Sequence, residues 1–400
     1  MEKIIFSGEI RTPIDRERLV SITGIRFALC SLSFLILNPF LALFILTLYS
    51  LYVDNSVKQT KQILLIFAFA LAIFYASRDI WVLPDDDAAV YVQKYLMDQD
   101  DSLASIVSRF LLFPPTNEVL YFSGMWIIVK LLNPGIQTLL FILHLGQLTL
   151  LSLAAYLVSR RYAVFFLFIF FFGIPDPNTN FMTIWRATLA QLIFMIGTLI
   201  YFKGNPKTGR IVILASLGFH VTLMLFIFIF ELYIFVRRRT SYFSTVVLCC
   251  LAFYLSLDTL RSALEYIWPS RAAMFFNFPE EYRVNLTEAF VVIVLLAGNY
   301  FHKLSPVARF ATFSFLAYFV LCQGYGYTSS LTGRFNQIAW GLAAIPLFEM
   351  VMKLPKALIA PVIGFLLVRA MLKPVTEIYS SALPQHFEPF YGVLNIIFFK

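Results

Sequence analysis

The stretch Gln137–Val158 reads QTLLFILHLGQLTLLSLAAYLV and contains no Asp, Glu, Lys or Arg. As a helix it would be about 33 Å long, and crossing the ~30 Å core of a bilayer takes about 20 apolar residues. Comparable stretches recur at Ile63–Ala76, Gln191–Phe202 and Ile211–Phe230. We therefore expect an all-α polytopic membrane protein of about 11–13 apolar helical segments, forming a single integral membrane domain over residues 1–400.

The composition excludes a soluble domain. Of the 400 residues, 60% are hydrophobic and only 14% are charged, whereas soluble domains carry about 25% charged residues. The net charge of +8 is spread over short connectors between the apolar stretches. In a membrane protein such charges set orientation, so we expect no nucleic-acid partner.

Basic residues in short connectors predict which ends of the helices face the cytoplasm. They place the N-terminus there, together with the connectors that hold Lys58 and Lys61, Arg160–Arg161 and Arg237–Arg239. Two longer polar segments, residues 78–118 and 258–288, are then expected at the outer face. The first of them is rich in aspartate, which agrees with this assignment.

The number of apolar segments between these basic connectors does not allow every segment to cross. One resolution is that two segments enter and leave on one side of the membrane. The candidates are Val119–Leu132, which is too short to cross comfortably, and Ile211–Phe235, which could break at Gly218–Phe219–His220. Broken helices at membrane depth have to line a cavity or be buried in protein, so they tend to mark functional sites.

Ionisable side chains in or beside apolar helices are functional candidates. Arg186 opens a long apolar helix and is either a ligand-binding residue or an anchor that reaches for the lipid headgroups. His220 lies about ten residues into its apolar stretch and either takes part in chemistry or hydrogen-bonds to a neighbouring helix. His144 has only Gln147 as a polar neighbour in the sequence, which favours a structural role.

The segment 78–118 contains a second group of candidates. Arg78 is followed by the aspartate triplet Asp85, Asp86 and Asp87, and then by Tyr91 and Tyr95, which are one helical turn apart. Aromatic faces beside carboxylates suit sugar rings, although a solvated acidic loop has the same composition. The sequence shows no phosphate-binding glycine loop, metal-ligand spacing or serine nucleophile motif, so we expect no metal and no cofactor.

Four short features occur in order within residues 62–235. They are Arg78 with the aspartates and tyrosines, Glu118 at the start of an apolar segment, Arg186 before Ala187-Thr188-Leu189-Ala190, and His220 with Thr222 two residues later. In this order the chain resembles the EpsG/Wzy group of bacterial polysaccharide polymerases. The third motif of that family often reads Arg-Gln-Gly-x-Ala, and its Gln and Gly are absent here. Arg334 is a weaker C-terminal match.

The resemblance implies a metal-independent glycosyltransferase of the bacterial inner (cytoplasmic) membrane, with its active site facing the periplasm. Such an enzyme transfers a growing glycan from undecaprenyl pyrophosphate to a hydroxyl of a second lipid-linked oligosaccharide repeat unit. The product would be O-antigen, the polymer of lipopolysaccharide, or an exopolysaccharide. The implied partners are the undecaprenyl-pyrophosphate-linked oligosaccharide, membrane lipid and, as a further candidate, a chain-length regulator protein.

Site residues follow from the same resemblance. Arg186, Arg78 and Arg334 would bind the pyrophosphate, because arginines can balance its charge bidentately without a metal. Glu118, His220 and Asp86 are candidates for the catalytic group that accepts the hydroxyl proton. Asp85, Asp87, Tyr91 and Tyr95 would bind the glycan.

Three alternatives remain open at this point. The first is a membrane glycosyltransferase that uses a polyprenyl-phosphate sugar, since such enzymes commonly carry an acidic pair in their first outer loop. The second is a flippase or transporter of lipid-linked glycan, although no internal repeat is evident. The third is a structural or partner-binding membrane subunit, which the ionisable residues in apolar surroundings disfavour.

Overall fold

A computed structural model describes residues 39–52, 57–77, 80–81, 87–93, 102–111, 118–175, 181, 184–237, 241–255, 257–267, 269, 286–325 and 330–372. Within these residues the chain is helical throughout, without a strand, which confirms the predicted all-α class. The first eight helices are α1 (Pro39–Tyr52), α2 (Val57–Ala76), α3 (Asp87–Val92), α4 (Leu103–Leu111), α5 (Val119–Leu132), α6 (Ile136–Val158), α7 (Ala163–Gly173) and α8 (Trp185–Phe202). The next eight are α9 (Pro206–Ala215), α10 (Leu223–Arg237), α11 (Tyr242–Leu255), α12 (Leu257–Ile267), α13 (Leu286–His302), α14 (Pro306–Tyr325), α15 (Ser330–Met352) and α16 (Lys356–Leu372).

Four helices are long and apolar enough to cross a membrane by length and composition. They are α2, α6, α8 and the Phe335–Met352 part of α15. Six shorter apolar helices accompany them in the described part of the chain: stretches of α1, α5, α7, α13, α14 and α16. The fold is therefore that of a polytopic membrane protein, as the composition predicts.

Antiparallel neighbours form the body of the bundle. Helix α2 packs against α6, where Ser152 donates a hydrogen bond to the Leu64 carbonyl and the Phe69 ring meets Phe141 at 5.4 Å. Helix α7 is apolar on all sides and is buried from Ala163 to Phe171, as expected of a helix surrounded by others. Its rings pack against α1, α2 and α15, so this short helix is the centre of the core.

One end of the bundle is rich in basic residues, and we call it the basic end. There the Lys61 ammonium lies 5.1 Å from the Tyr156 ring, which joins the start of α2 to the end of α6. The Arg237 guanidinium lies 5.6 Å from the Phe202 ring, which joins the ends of α10 and α8. The described basic residues of this end are Lys58, Lys61, Arg160, Arg161, Lys203, Lys207, Arg210, Arg237, Lys303, Arg309 and Lys353.

Helices α9 and α10 form a V whose two open ends both lie at the basic end. Arg210 in the middle of α9 pairs with Glu231 in the middle of α10 at 2.8 Å, and the Tyr201 ring near the end of α8 meets Phe230 of α10 at 5.0 Å. The tip of the V is a 3-10 turn, Ser216–Gly218, followed by non-helical residues to Thr222. The break predicted at Gly218–His220 is therefore present, and the chain enters and leaves on the same side.

Close backbone contact holds the V against α8. A Cβ atom added at Gly209 would lie 2.6 Å from the Tyr201 Cα, and one at Gly197 would lie 2.8 Å from the Ile213 backbone nitrogen. Small residues at helix interfaces permit this approach in membrane proteins, where burial of apolar surface does not drive helices together.

Helix α5 also has both of its ends at one end of the bundle, the end opposite the basic residues. It starts at Val119 beside α8 and ends three residues before α6 begins. Asn133 stops it in the left-handed conformation, with φ of 41°. This placement agrees with the prediction that the segment enters and leaves on one side.

The two predicted outer loops contain helices of their own. Helices α3 and α4 lie within residues 78–118, and α12 lies within residues 258–288 apart from its first residue, Leu257. The sequence did not predict these helices, because short amphipathic helices carry as many charges as a loop.

Candidate active site

The end opposite the basic residues holds an ion pair between a buried glutamate and a partly buried arginine. Arg186 Nη1 lies 2.7 Å from Glu118 Oε2, and the two side chains are 20% and 6% exposed. Arg186 is the second residue of α8, and Glu118 immediately precedes α5. Two helix starts therefore bring together two residues that are 68 positions apart in the chain.

Glu118 occupies the N-cap position of α5 but does not cap it. Its backbone is extended, with φ of −88° and ψ of 92°, and its side chain makes no cap hydrogen bond. Glutamate is not among the favoured N-cap residues, whose short side chains reach the exposed backbone N–H groups. The carboxylate instead bonds to Arg186. We therefore treat Glu118 as a residue of the candidate site and not as a helix cap.

Aromatic rings hold the guanidinium of Arg186 in place. Its central carbon lies 4.8 Å from the centre of the Tyr91 ring and 5.7 Å from that of Phe122, which are cation–π distances. The Tyr91 ring also packs 6.1 Å from Tyr121 and 5.8 Å from Trp185. Helices α3, α5 and α8 thus each contribute rings to one aromatic cluster around the charge.

This packing gives Tyr91 a role that the sequence did not suggest. Its side chain is only 8% exposed, and its ring supports Arg186. The contact with a glycan that the resemblance implies stays a prediction. The sequence analysis did not select Tyr121 and Phe122. Their positions, three and four residues after Glu118, could have indicated that they lie near it, because they are one helical turn into α5.

The guanidinium keeps hydrogen-bonding capacity beyond its bond to Glu118. The Arg186 Nε atom is buried and has no hydrogen-bond partner among the described residues. An arginine side chain carries five N–H donors in a planar fork. The site therefore presents a fixed cation whose fork is suited to a second, multiply charged acceptor such as a phosphate.

The tip of the V contacts the helix that begins next to Glu118. A Cβ atom added at Gly218 would lie 2.5 Å from the Leu120 Cγ, so the backbone of the tip rests on the first turn of α5. The adjacent Phe219 packs against the apolar cluster that contains Tyr91 and Trp185. His220 is therefore held close to the segment that follows Glu118.

Hydrogen bonds fix the ring of His220. Its Nδ1 accepts the backbone N–H of Thr222 at 3.2 Å and lies 2.8 Å from the Thr222 hydroxyl. Because a backbone N–H can only donate, the lone pair must be on Nδ1, and the proton of the neutral ring is on Nε2. His220 is 3% exposed, so this tautomer is set by the fold. The neutral ring consequently offers Nε2 as a donor.

The broken backbone at the tip satisfies its own polar groups. The His220 N–H donates to the Ser216 carbonyl at 3.1 Å, and the Ser216 hydroxyl donates to the Ile213 carbonyl at 2.6 Å. The His220 carbonyl accepts from the Leu223 N–H at 3.2 Å. Such pairing is what permits a non-helical backbone inside an apolar bundle.

Helix α15 begins at the same end of the bundle as α8 and packs against it. Gln191 of α8 lies so close to Gly341 that a Cβ there would be 1.5 Å from the Gln191 Nε2. Arg186 is five residues before Gln191, and Asn336 is five residues before Gly341, so both lie about 7.5 Å closer to the starts of their parallel helices.

Two amide oxygens on this part of α15 escaped the sequence analysis. Asn336 Oδ1 and Gln337 Oε1 are buried and have no hydrogen-bond partner among the described residues. The sequence could have indicated them, because the two amides stand two and three residues after Arg334 in an apolar stretch. Unsatisfied buried acceptors suit the hydroxyl groups of a ligand.

The remaining predicted site residues are placed only in part. Arg78, Asp85, Asp86 and Tyr95 lie outside the described residues. For Asp87, the first residue of α3, and Arg334, in the second turn of α15, the structure describes the helix and not the side chain. In the described part of the chain, no three His, Cys, Asp or Glu side chains lie close enough to hold a metal ion.

His144 is buried in α6 and lies 3.1 Å from the Gln147 Oε1 through its Nδ1. Gln147 in turn donates to the carbonyl of Trp185 at 3.4 Å, which ties α6 to the start of α8. These bonds agree with the structural role that its sequence context favours.

Comparison with known proteins adds no relative to this picture. No protein-family model, no curated protein and no solved structure matches the chain. The likeness to the EpsG/Wzy group consequently rests on the short motifs, and what it implies is carried forward as a proposal.

Proposed function

We propose that this protein is a polysaccharide polymerase that joins undecaprenyl-pyrophosphate-linked oligosaccharide repeat units within the membrane. The observation that carries the proposal is the buried Arg186–Glu118 pair, fixed by aromatic rings, at one end of an apolar helix bundle. A cation and a carboxylate in one desolvated site are the two groups that such a transfer needs.

The arginine suits the leaving group. Glycosyl transfer from pyrophosphate is easy when the charge of the departing pyrophosphate is balanced, and a guanidinium does this through paired hydrogen bonds. Arg186 is held in position before any ligand arrives, which is the condition for stabilising charge that develops in a transition state. Arg78 and Arg334 are proposed to complete the pyrophosphate site.

The carboxylate suits the acceptor. The attacking hydroxyl must lose a proton, and Glu118 lies beside the cation that would hold the donor. The hydrogen bonds of His220 favour a different task for that ring, because its Nε2 donates in the neutral form. We assign His220 to donating a hydrogen bond to substrate oxygens, and Glu118 to accepting the proton.

The proposed location is the bacterial inner membrane, with the site facing the periplasm. Its support is the concentration of basic residues at the end of the bundle away from Glu118 and Arg186. By the positive-inside rule that end faces the cytoplasm. Lipid-linked repeat units meet at the other face, where the proposed product, O-antigen or exopolysaccharide, is assembled.

The test is the product that the purified protein makes from a lipid-linked repeat unit. Incubation in detergent or nanodiscs is expected to yield a ladder of chain lengths on a gel, and Arg186→Gln is expected to abolish it. Glu231→Gln is a matched control, since it removes the exposed partner of Arg210 at the basic end.

Other products would point to the other classes of protein. Addition of single sugars from a polyprenyl-phosphate donor identifies a glycosyltransferase of the alternative type. Movement of the lipid-linked unit across a vesicle membrane without a new bond identifies a flippase. Either result would refute the polymerase.

A further inference from the structure

The resting contact between Glu118 and Arg186 occupies atoms that both assigned tasks need. The Glu118 Oε2 atom bonded to Nη1 cannot accept a proton without giving up that bond, and Nη1 cannot join in a paired bond to a phosphate while Glu118 holds it. We propose that Glu118 occupies the phosphate position on Arg186 in the resting protein, and that the arriving pyrophosphate displaces it and so releases the base. This inference rests on the proposed function.

The geometry favours movement of Glu118 over movement of Arg186 when a phosphate binds. The described bond between the two side chains is a single contact, Nη1 to Oε2, whereas a phosphate can engage the guanidinium fork through two. The guanidinium is also held by the rings of Tyr91 and Phe122, which stay in place when Glu118 turns away. The cation therefore stays in place while the anion is exchanged.

The carboxylate is free to turn away because nothing else in its own helix holds it. Its side chain makes no cap hydrogen bond to α5. Its resting position is only 6% exposed. Once the pyrophosphate takes its place on Arg186, the carboxylate oxygen that faced Nη1 is available to accept the proton of the acceptor hydroxyl.

The transfer of the glycan forms one bond and breaks one. The oxygen of the acceptor hydroxyl forms a bond to the anomeric carbon of the donor glycan, and its proton passes to Glu118. The bond between that carbon and the pyrophosphate oxygen breaks, and the pyrophosphate leaves with the electron pair while Arg186 balances its charge. When the lipid pyrophosphate departs, Glu118 loses its proton and pairs with Arg186 again.

Competition between Glu118 and a phosphate predicts an unusual result: a variant without activity that binds its ligand more tightly. Inorganic pyrophosphate is the probe, titrated into the purified full-length protein by calorimetry. Glu118→Gln is expected to bind it about tenfold to about a hundredfold more tightly than the unsubstituted protein, because one charge-assisted hydrogen bond no longer has to break. The same variant is expected to form no ladder.

Two further variants sharpen the measurement. Glu231→Gln removes a carboxylate from a pair of similar length at the basic end, and its affinity for pyrophosphate should be unchanged. Glu118→Asp keeps the charge but shortens its reach, so an intermediate affinity is expected, which guards against misfolding of Glu118→Gln. Arg186→Gln should lose binding.

The outcomes separate the two proposals. If the unsubstituted protein binds pyrophosphate and Glu118→Gln binds it equally or less well, Glu118 does not compete and the release is refuted, while the polymerase proposal stands. If the unsubstituted protein, Glu118→Gln and Glu118→Asp all fail to bind pyrophosphate, the proposed function is refuted. The proposed release of Glu118 is then refuted as well.

Discussion

Replacing Gly209 by alanine should destabilise the protein, although alanine is the better helix former. Gly209 lies inside α9, and a Cβ atom there would lie 2.6 Å from the Cα, Cβ and backbone nitrogen of Tyr201. These are backbone and near-backbone atoms, so no side-chain rotation can relieve the contact. Helices α8 and α9 would have to move apart by about 1 Å to reach an ordinary carbon–carbon distance.

Two opposing effects set the size of the change. Alanine in place of glycine stabilises a helix interior by up to about 1 kcal/mol. Forcing an extra carbon into a packed contact costs about 1–3 kcal/mol, and more where the backbone cannot yield. The neighbouring contact of Gly197 with Ile213 is equally close, so the strain cannot spread along the interface. We expect a net loss of about 1–2 kcal/mol.

The assay is thermal unfolding of the purified protein in detergent, followed by tryptophan fluorescence. Gly146→Ala is the matched control, because that glycine lies inside α6 with open space around the added carbon. The control should unfold at the same temperature as the unsubstituted protein or slightly higher, and Gly209→Ala several degrees lower. If both variants shift upward alike, the close contact between α8 and α9 is not real.

The other predictions concern the site and its orientation. Arg186→Lys should slow polymerisation about tenfold to about ten-thousandfold, measured as the initial rate of ladder formation, because losing one or two charge-assisted hydrogen bonds at about 1.5–3 kcal/mol each is not offset by a point charge. A normal rate in Arg186→Ala would make the residue a mere anchor. His220→Gln should keep much of the polymerisation rate and His220→Ala should lose it, since an amide can donate in place of Nε2 but cannot act as a base. An equal loss of rate in both variants would indicate that His220, and not Glu118, is the base. Purified enzyme should work in EDTA, and an absolute need for Mg²⁺ or Mn²⁺ would transfer Asp85–Asp87 to metal binding. A cysteine placed at Asp100 should react with an impermeant thiol reagent in intact cells, and reaction only after lysis would reverse the orientation.

The long helices and the broken segment could be predicted from the sequence for physical reasons. Apolar length is a direct consequence of bilayer thickness, so the long helices could be read from composition. The V of α9 and α10 followed from the parity of basic connectors, with Gly218 and His220 marking where the helix stops. The hydrogen bond from Thr222 to His220 was also within reach, since the two residues are close in the chain.

The ion pair was out of reach because no local pattern links its members. Glu118 and Arg186 were each selected, yet one as a base and the other as a phosphate ligand, and nothing in the sequence indicated that they bond to each other. The same holds for Tyr91, whose burial depends on rings from α5 and α8. Pairing across 68 residues is decided by helix packing, which periodicity does not encode.

The V of α9 and α10 also bears on how the protein is made. Helix α9 has ten residues and includes Lys207 and Arg210, so it is far from the ~20 apolar residues by which a segment enters the bilayer unaided. Its backbone fits directly against α8 at Gly197 and Gly209. We therefore expect α8, which precedes α9 and α10 in the chain, to be inserted first and to provide the surface on which these two shorter helices dock. A chain in which this docking fails would be expected to be embedded in the membrane and still inactive, because the tip that carries His220 would not be in place.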